Sequence, residues 1–269
     1  MAHPKLIELE QIEQGAWEDL AQAAPASFAS AVGLQTRRIG GALFFMATKI
    51  PLLQFNWLAG AGLGADDGAC IGEAVTLFHA AGQRKFAVQI PPGPSAGNMA
   101  LLAQDAGLQP NTMAWAKFYR ETSSAPVVET ALDVRELGID ERNVFAETAV
   151  AGFGMPPSMS VWLSQIVGRP RWHAYAAFDR GAPASVGALY VDGNFAWLGI
   201  GATRPEMRRK GGQSALLSRR IADAAKFGAQ HAATETGVPQ EGQPAPSYKN
   251  ILKSGFGIAY VRANWTLPA

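Results

Sequence analysis

The chain has 269 residues, a formal net charge of +1, 48% hydrophobic residues and one cysteine. That length suits about two domains with sizeable cores. The near-zero charge gives no whole-chain field for nucleic acid or an anionic membrane, and a lone Cys70 excludes a disulfide framework. No apolar run approaches membrane-spanning length, and the opening Met1-Ala2-His3-Pro4-Lys5 is no secretory leader. A soluble cytoplasmic chain is expected.

A charged helix opens the chain. Leu52 to Leu58 reads as a strand and runs into Gly60-Ala61-Gly62-Leu63-Gly64. Those glycines miss the G-x-G-x-x-G spacing of a dinucleotide turn, and Asp66-Asp67 behind them would repel a pyrophosphate. Cys70 lies in an apolar helical run ending at Gly82, where its role is that of a small core side chain. A strand from Lys85 to Ile90, a helix from Asn98, Gly107-Leu108 and a strand from Trp115 to Arg120 complete a first half, residues 1–121. Thr122-Ser123-Ser124-Ala125-Pro126 (122–126) is the linker.

The second half, 127–269, begins with a strand from Val127 to Arg135. Helices follow over Glu141 to Ala151 and Met159 to Val167, separated by the helix-breaking stretch Gly152 to Pro157. His173 to Phe178, Ala184 to Val191 and Phe195 to Ala202 alternate as an antiparallel meander, with turns at Arg180-Gly181 and Asp192-Gly193. A helix from Ser214 to Phe227 stops at Gly228. A strand through Ala232 to Thr236, a helix from Ser247 to Ser254, Gly255-Phe256 and a last strand follow. Gly82 precedes Gly107 by 25 residues and Gly228 precedes Gly255 by 27, a match that gene duplication would produce.

Between the meander and the long helix stands Thr203-Arg204-Pro205-Glu206-Met207-Arg208-Arg209-Lys210-Gly211-Gly212-Gln213. Three consecutive cations and two glycines occupy a strand-to-helix turn, where unpaired amides and the helix dipole attract an anion. A pyrophosphate is the natural guest, although a solvated basic turn is the plain alternative. The four histidines, His3, His79, His173 and His231, have no metal-ligand spacing. H-E-x-x-H, CxxC and Gly-x-Ser-x-Gly are absent from the sequence, so metal and serine-hydrolase chemistry are not expected.

The order Pro205, Arg208, Gly211 resembles the acetyl-CoA motif of the GNAT N-acetyltransferases, with Thr203 and Gln213 departing from its usual residues. The strand, helix, strand, helix and Gly255-Phe256 around it follow that superfamily's element order. The resemblance implies two tandem GNAT-like domains of α/β (α+β) class, each a mixed, mostly antiparallel twisted sheet flanked by helices. The first would be degenerate, without a cofactor loop. It implies acetyl transfer from acetyl-CoA to a small-molecule or peptide amine by direct attack, with no metal, nucleic acid or membrane partner; a homodimer is left open. Ile200, Gly201, Ala202 and Thr203 would lie on a bulged, splayed strand. Arg208, Arg209, Lys210, Gly211, Gly212, Gln213 and Ser214 would hold the diphosphate, and Asn250 would edge the pantetheine arm. Glu235 is the candidate general base, with a strand brace as its other reading. Ile251 occupies the family's acid position, so Tyr248 becomes the candidate acid, with Tyr260 as a substitute. The same departure leaves a non-catalytic acyl-CoA sensor as the rival function. Phe153, Met155 and Trp162 would wall the acceptor pocket or belong to the core.

Overall fold

Apolar residues at Leu6, Leu9, Ile12, Ala16 and Leu20 recur at helical spacing, and all are buried in the first helix, α1 (Leu6–Gln22). In the computed structural model, which describes residues 3–64 and 67–268, α2 (Ala26–Val32), β1 (Leu34–Ile39), β2 (Ala42–Ala47) and β3 (Asn56–Ala59) follow. Then come α3 (Cys70–Ala80), β4 (Ala87–Ile90), α4 (Ala96–Asp105), β5 (Gln109–Pro110) and β6 (Trp115–Glu121). The second half contains β7 (Asp133–Glu136), α5 (Arg142–Phe153), α6 (Ser160–Leu163), β8 (Trp172–Asp179), β9 (Ala182–Asp192) and β10 (Phe195–Thr203). It ends with α7 (Gly212–Lys226), β11 (His231–Gly237), α8 (Pro246–Lys253) and β12 (Gly257–Thr266).

The strands form one sheet in the order β1-β2-β3-β4-β12-β6-β11-β10-β9-β8-β7, with β5 beside β12. Alternate residues of β2 face opposite layers, as the strand period of two requires. Phe44 packs with Phe78 of α3 and with Phe86, whereas Phe45 joins the core around α1 and Trp162. In the second half α7 and α8 cover one face through Leu216, Leu217, Ile221 and Ile251. Helices α1, α5 and α6 cover the other through Leu9, Ala149 and Trp162. No helix among the described residues is long and apolar enough to cross a membrane.

Three expected elements differ. Of the strand expected over Leu52 to Leu58, Leu53–Phe55 is a 3-10 turn and β3 begins only at Asn56. The strand expected from Val127 begins only at Asp133, because its partner β8 ends at Asp179, opposite Ala182 and next to Phe178, which Asp133 faces. Residues further upstream have no strand to pair with, and Val127 is 96% exposed. The helix expected over Met159 to Val167 is the single turn α6 flanked by 3-10 turns over Pro157–Met159 and Ser164–Ile166. Asp66 and the Asp67 side chain, expected to repel a phosphate, lie outside the described residues.

Both halves contain a parallel strand pair crossed by one helix: β3-α3-β4 and β10-α7-β11. Their last strands are exchanged. β6 of the first half runs antiparallel to β11, from His231 opposite Glu121 to Gly237 opposite Trp115. β12 of the second half pairs with β4 through Ala263, Asn264 and Trp265, and with β6 through its earlier residues. Cutting at 122–126 strips β11 of its neighbour and β4 of its outer partner, leaving open edges on apolar strands. Residues 1–121 and 127–269 expressed separately are therefore expected to aggregate, and co-expressed to recover a soluble pair. Size-exclusion chromatography of each piece and of the mixture checks this; a monodisperse, folded 127–269 alone would contradict it.

Candidate functional site

The site begins where β10 and β11 part company. They pair in parallel at Phe195 with His231, Ala196 with Ala232 and Trp197 with Ala233, and no further. In the first half the equivalent pair stays together to Ala59, the last residue of β3. Beyond Trp197, β10 carries a bulge: Gly199 faces Ala188 and Ala202 faces Val186, so Ile200 and Gly201 both stand opposite Gly187. Ile200 has φ of +50°, a conformation that a β-branched side chain adopts only under constraint, at a cost of about 1–3 kcal/mol.

Two side chains of α7 hold that bulge. Gln213 Nε2 donates to the carbonyls of Ala202 (2.8 Å) and Val186 (3.1 Å). Arg220 Nη1 donates to the carbonyls of Ala188 (2.9 Å) and Gly199 (3.1 Å). Burial lowers the Arg220 pKa to about 10, so the guanidinium is still charged at neutral pH. Because the Gly199 carbonyl shares its peptide with the Ile200 N–H, this bond makes that amide a stronger donor. Gly199 has a separate task. A Cβ there would stand 1.9 Å from the Trp197 ring, so the missing side chain lets the indole fold back and donate from Nε1 to Glu235 Oε2 at 2.8 Å.

At the far end of β10 a 3-10 turn, Pro205–Met207, leads into Arg209 (φ +67°) and Gly211 (φ +80°) before α7 begins. The first helical bond runs from Ala215 N–H to the Gly211 carbonyl. The amides of Gly212, Gln213 and Ser214 are thus the helix's opening donors, at the positive end of its dipole. Arg208, Arg209, Lys210 and Gly211 are exposed. The three cations are unequal, however. Lys210 Nζ donates to Asp179 Oδ2 at 2.5 Å, and that bond holds the Asp179 carboxyl below its ordinary pKa. Arg208 reaches only the Gly152 carbonyl, at 3.4 Å. Ala202 and Thr203 belong to the scaffold, Ala202 through its buried side chain and Thr203 through a 2.9 Å hydroxyl contact with Ser185.

A cavity of about 370 Å³ fills the opening between the splayed strands. It is lined by Ile200, Gly201, Gln213, Leu217, Asn250 and Ile251 and by Trp17, Phe55, Trp115, Phe153, Met155 and Trp162. Trp197 and Glu235 also line it. Phe153, Met155 and Trp162 thus do wall the cavity, while Trp162 is also core, fully buried with Nε1 donating to the Leu20 carbonyl. Tyr248 does not line this cavity. Its ring packs edge-on against Phe118, and it faces an adjoining hollow that shares Ser247, Gln54, Trp115 and Thr236 with the cavity. Tyr260 is committed elsewhere, donating to Glu10 Oε1 at 2.8 Å.

Glu235 belongs to a buried ionic cluster. Lys117 Nζ donates to Glu235 Oε2 at 3.2 Å and to Glu13. Arg262 donates to both oxygens of Glu13, at 2.7 and 3.0 Å, and from Nη1 to Glu10 at 3.2 Å. With every member ionised, three carboxylates face two cations, one negative charge in excess. Burial pushes the Glu235 pKa up, the charge of Glu13 adds to this, and Lys117, Arg262 and the Trp197 bond oppose it. Burial also acts upward on Glu13, but Arg262 and Lys117 outweigh it and hold that carboxyl at about 2. Of these two carboxyls Glu235 is therefore the more easily protonated, and it lines the cavity. Among the described residues, no group of three or more His, Cys, Asp or Glu side chains is placed to hold a metal ion.

Sequence reasoning singled out Glu235, which lines the cavity, and the turn that precedes α7, but missed Glu10, Glu13, Lys117 and Arg262. The available signal was charge at core positions: Glu10, Glu13 and Trp17 follow helical spacing beside the apolar stripe, and Lys117 interrupts Ala116-Phe118. Carbon-13 NMR titration of the Glu235 carboxyl is expected to give a midpoint above that of ordinary glutamate. Glu13→Gln removes a negative neighbour and leaves Lys117 to Glu235 alone, so the midpoint should fall; an unchanged or higher midpoint would refute the coupling.

No protein-family model and no curated protein matches the sequence. Solved structures do match the fold. A GCN5-related N-acetyltransferase from Kribbella flavida superposes with TM-score 0.62 at 13% identity, over 93% of this chain and 96% of that one. One from Sphaerobacter thermophilus gives 0.57 at 17%, over 78% and 70%. A tandem GNAT protein from the clavulanic acid biosynthesis pathway gives 0.57 at 17%, over 94% and 93%. These likenesses, which reach 93–94% of the chain, show that it has the GNAT fold.

Proposed function

We propose that the protein transfers an acyl group, acetyl in the simplest case, from acetyl-CoA to an amine, using one cofactor site in the second half. The observation that carries this reading is the opening between β10 and β11, with the anion turn of α7 at the end of β10 and Glu235 on its wall. The diphosphate would meet the amides of Gly211 to Ser214 with Arg208 and Arg209, and Lys210 would act through its Asp179-anchored charge. The pantetheine arm would lie along Ile200 and Gly201 and against Asn250. The bulged backbone at Ile200, its amide polarised by Arg220, is positioned to stabilise the thioester oxygen as charge develops. The first half, residues 1–121, supplies the far wall and the strand that carries Lys117.

Direct attack needs an amine freed of its proton, and Glu235 would take that proton. A raised pKa makes it a better base than a solvated carboxylate, at the expense of the fraction ionised at acidic pH. The leaving thiolate, whose parent thiol has a pKa near ~8.5, departs tolerably without a neighbouring acid, consistent with Ile251 in the cavity and Tyr248 held on Phe118.

An amine-panel screen reading free thiol release tests the function. Amine-dependent thiol release supports it, binding of acetyl-CoA without turnover supports the sensor reading, and failure to bind CoA by calorimetry removes both. Arg208→Glu with Arg209→Glu should weaken CoA binding by about 2–3 kcal/mol, whereas Lys210→Met should cost under about 1 kcal/mol, since Asp179 already occupies that charge. Glu235→Gln should lower kcat about 10²–10⁴-fold with CoA affinity little changed. Activity needs Glu235 deprotonated, so the wild-type rate should fall as pH drops through its raised pKa, and the variant should lose that acidic limb. A variant that keeps the rate and limb but melts earlier would make Glu235 a brace.

A further inference from the structure

The cavity is rich in rings, and the charge on its wall is one-signed. Trp17 comes from α1, Phe55 from the turn before β3, Trp115 from β6, and Phe153 and Trp162 from the α5–α6 region. Among the described residues lining the cavity, no Lys, Arg or His occurs, and Glu235 is the charged side chain. Lys117 and Arg262 lie behind it, 0% and 1% exposed; Lys117 Nζ and both Arg262 Nη atoms donate to the carboxylates of the cluster, Arg262 Nε has no partner among the described residues, and Arg262 edges only a small adjoining hollow of about 50 Å³. A carboxylate or phosphate carried on the acceptor would lose its water here, find no cation on the cavity wall and, with Glu235 ionised, face a cluster one negative charge in excess. An ammonium would meet a carboxylate and aromatic faces, and an apolar body would bury itself against the rings.

From this wall we infer that the acceptor is a primary amine carried on an uncharged, mainly apolar body about the size of an arylalkylamine, and that amines bearing an anionic group are excluded. The inference rests on the acyl transfer proposed above. The ammonium enters and passes one proton to Glu235. The nitrogen lone pair then forms the N–C bond to the thioester carbon, and the C–S bond breaks with its electron pair leaving on sulphur. The second nitrogen proton ends on that sulphur, giving an amide, free CoA thiol and protonated Glu235, which then returns its proton to solvent. Trp17, Phe55 and Trp115 come from the first half and Phe153, Trp162 and Trp197 from the second, so both halves would select the acceptor.

Phenylethylamine and phenylalanine share a skeleton and differ by a carboxylate, so they form the decisive pair, with spermidine and a lysyl peptide as polar competitors. Two readouts are needed: kcat/KM from thiol release, and quenching of tryptophan fluorescence, since Trp17, Trp115, Trp162 and Trp197 all line the cavity. Phenylethylamine is expected to exceed phenylalanine by about 100-fold in kcat/KM and to quench where phenylalanine does not. Gln54, exposed and lining the same cavity, offers a variant that threatens no core packing. Gln54→Arg adds the missing cation and should narrow the preference by about 10-fold or more. Preference of the wild type for phenylalanine, spermidine or the peptide, or a Gln54→Arg enzyme with unaltered preference, would overturn the inference. Failure of CoA binding with selective quenching by phenylethylamine would sink the acyl-transfer reading and leave the amine site standing. Quenching by neither amine overturns the site itself.

Discussion

Glu10, Glu13, Lys117, Glu235, Tyr260 and Arg262 meet in the interior from four different elements, α1, β6, β11 and β12. Buried charges are tolerable only when each finds partners, and leaving one unpaired costs about 3–5 kcal/mol. This requirement fixes more than the cluster. Lys117 reaches Glu235 only if β6 lies beside β11 in the observed register, where the two residues face each other. Arg262 reaches Glu13 only if β12 crosses under α1. The strand exchange and the seat of α1 are therefore enforced by charge satisfaction as much as by apolar burial.

The same cluster prepares the candidate chemistry. Its cations hold the Glu13 carboxyl low, so that Glu13 acts as a fixed negative charge, while burial and that charge raise Glu235. Trp197 links this carboxylate to the bulged strand, and Gly199 makes the link sterically possible. The strained backbone at Ile200 is held from the other face of the sheet by Gln213 and Arg220. Strain at one residue thus persists because α7, whose N-terminus forms the anion turn, also supplies both clamps. The ends of the slot proposed for phosphate and for thioester are set by one helix.

The two halves show how a repeated topology can carry different tasks. Both have a parallel strand pair crossed by a helix, but β3 is four residues long and paired to its end, while β10 runs nine residues and leaves β11 after three pairings. No slot opens where strands stay zipped. The first half instead contributes rings, a helix and a strand to the slot of the second.

What the sequence determined by itself was local: the strand and helix periods, the turn with Pro205, Arg208 and Gly211, and Glu235 one strand beyond. These are read from neighbours within one or two turns of chain, where dihedral preference and spacing act directly. Only the tertiary structure decided the rest. The pairing of Lys117 with Glu13 spans 104 residues and that of Arg262 with Glu13 spans 249; no spacing encodes them. It tied Lys210 to Asp179 across the sheet edge, turned Tyr248 onto Phe118, and spent Gln213 on bulge carbonyls. In each case a polar group's partner is chosen by which elements the fold brings together, and that choice depends on the whole sheet order, including the exchange of its two last strands.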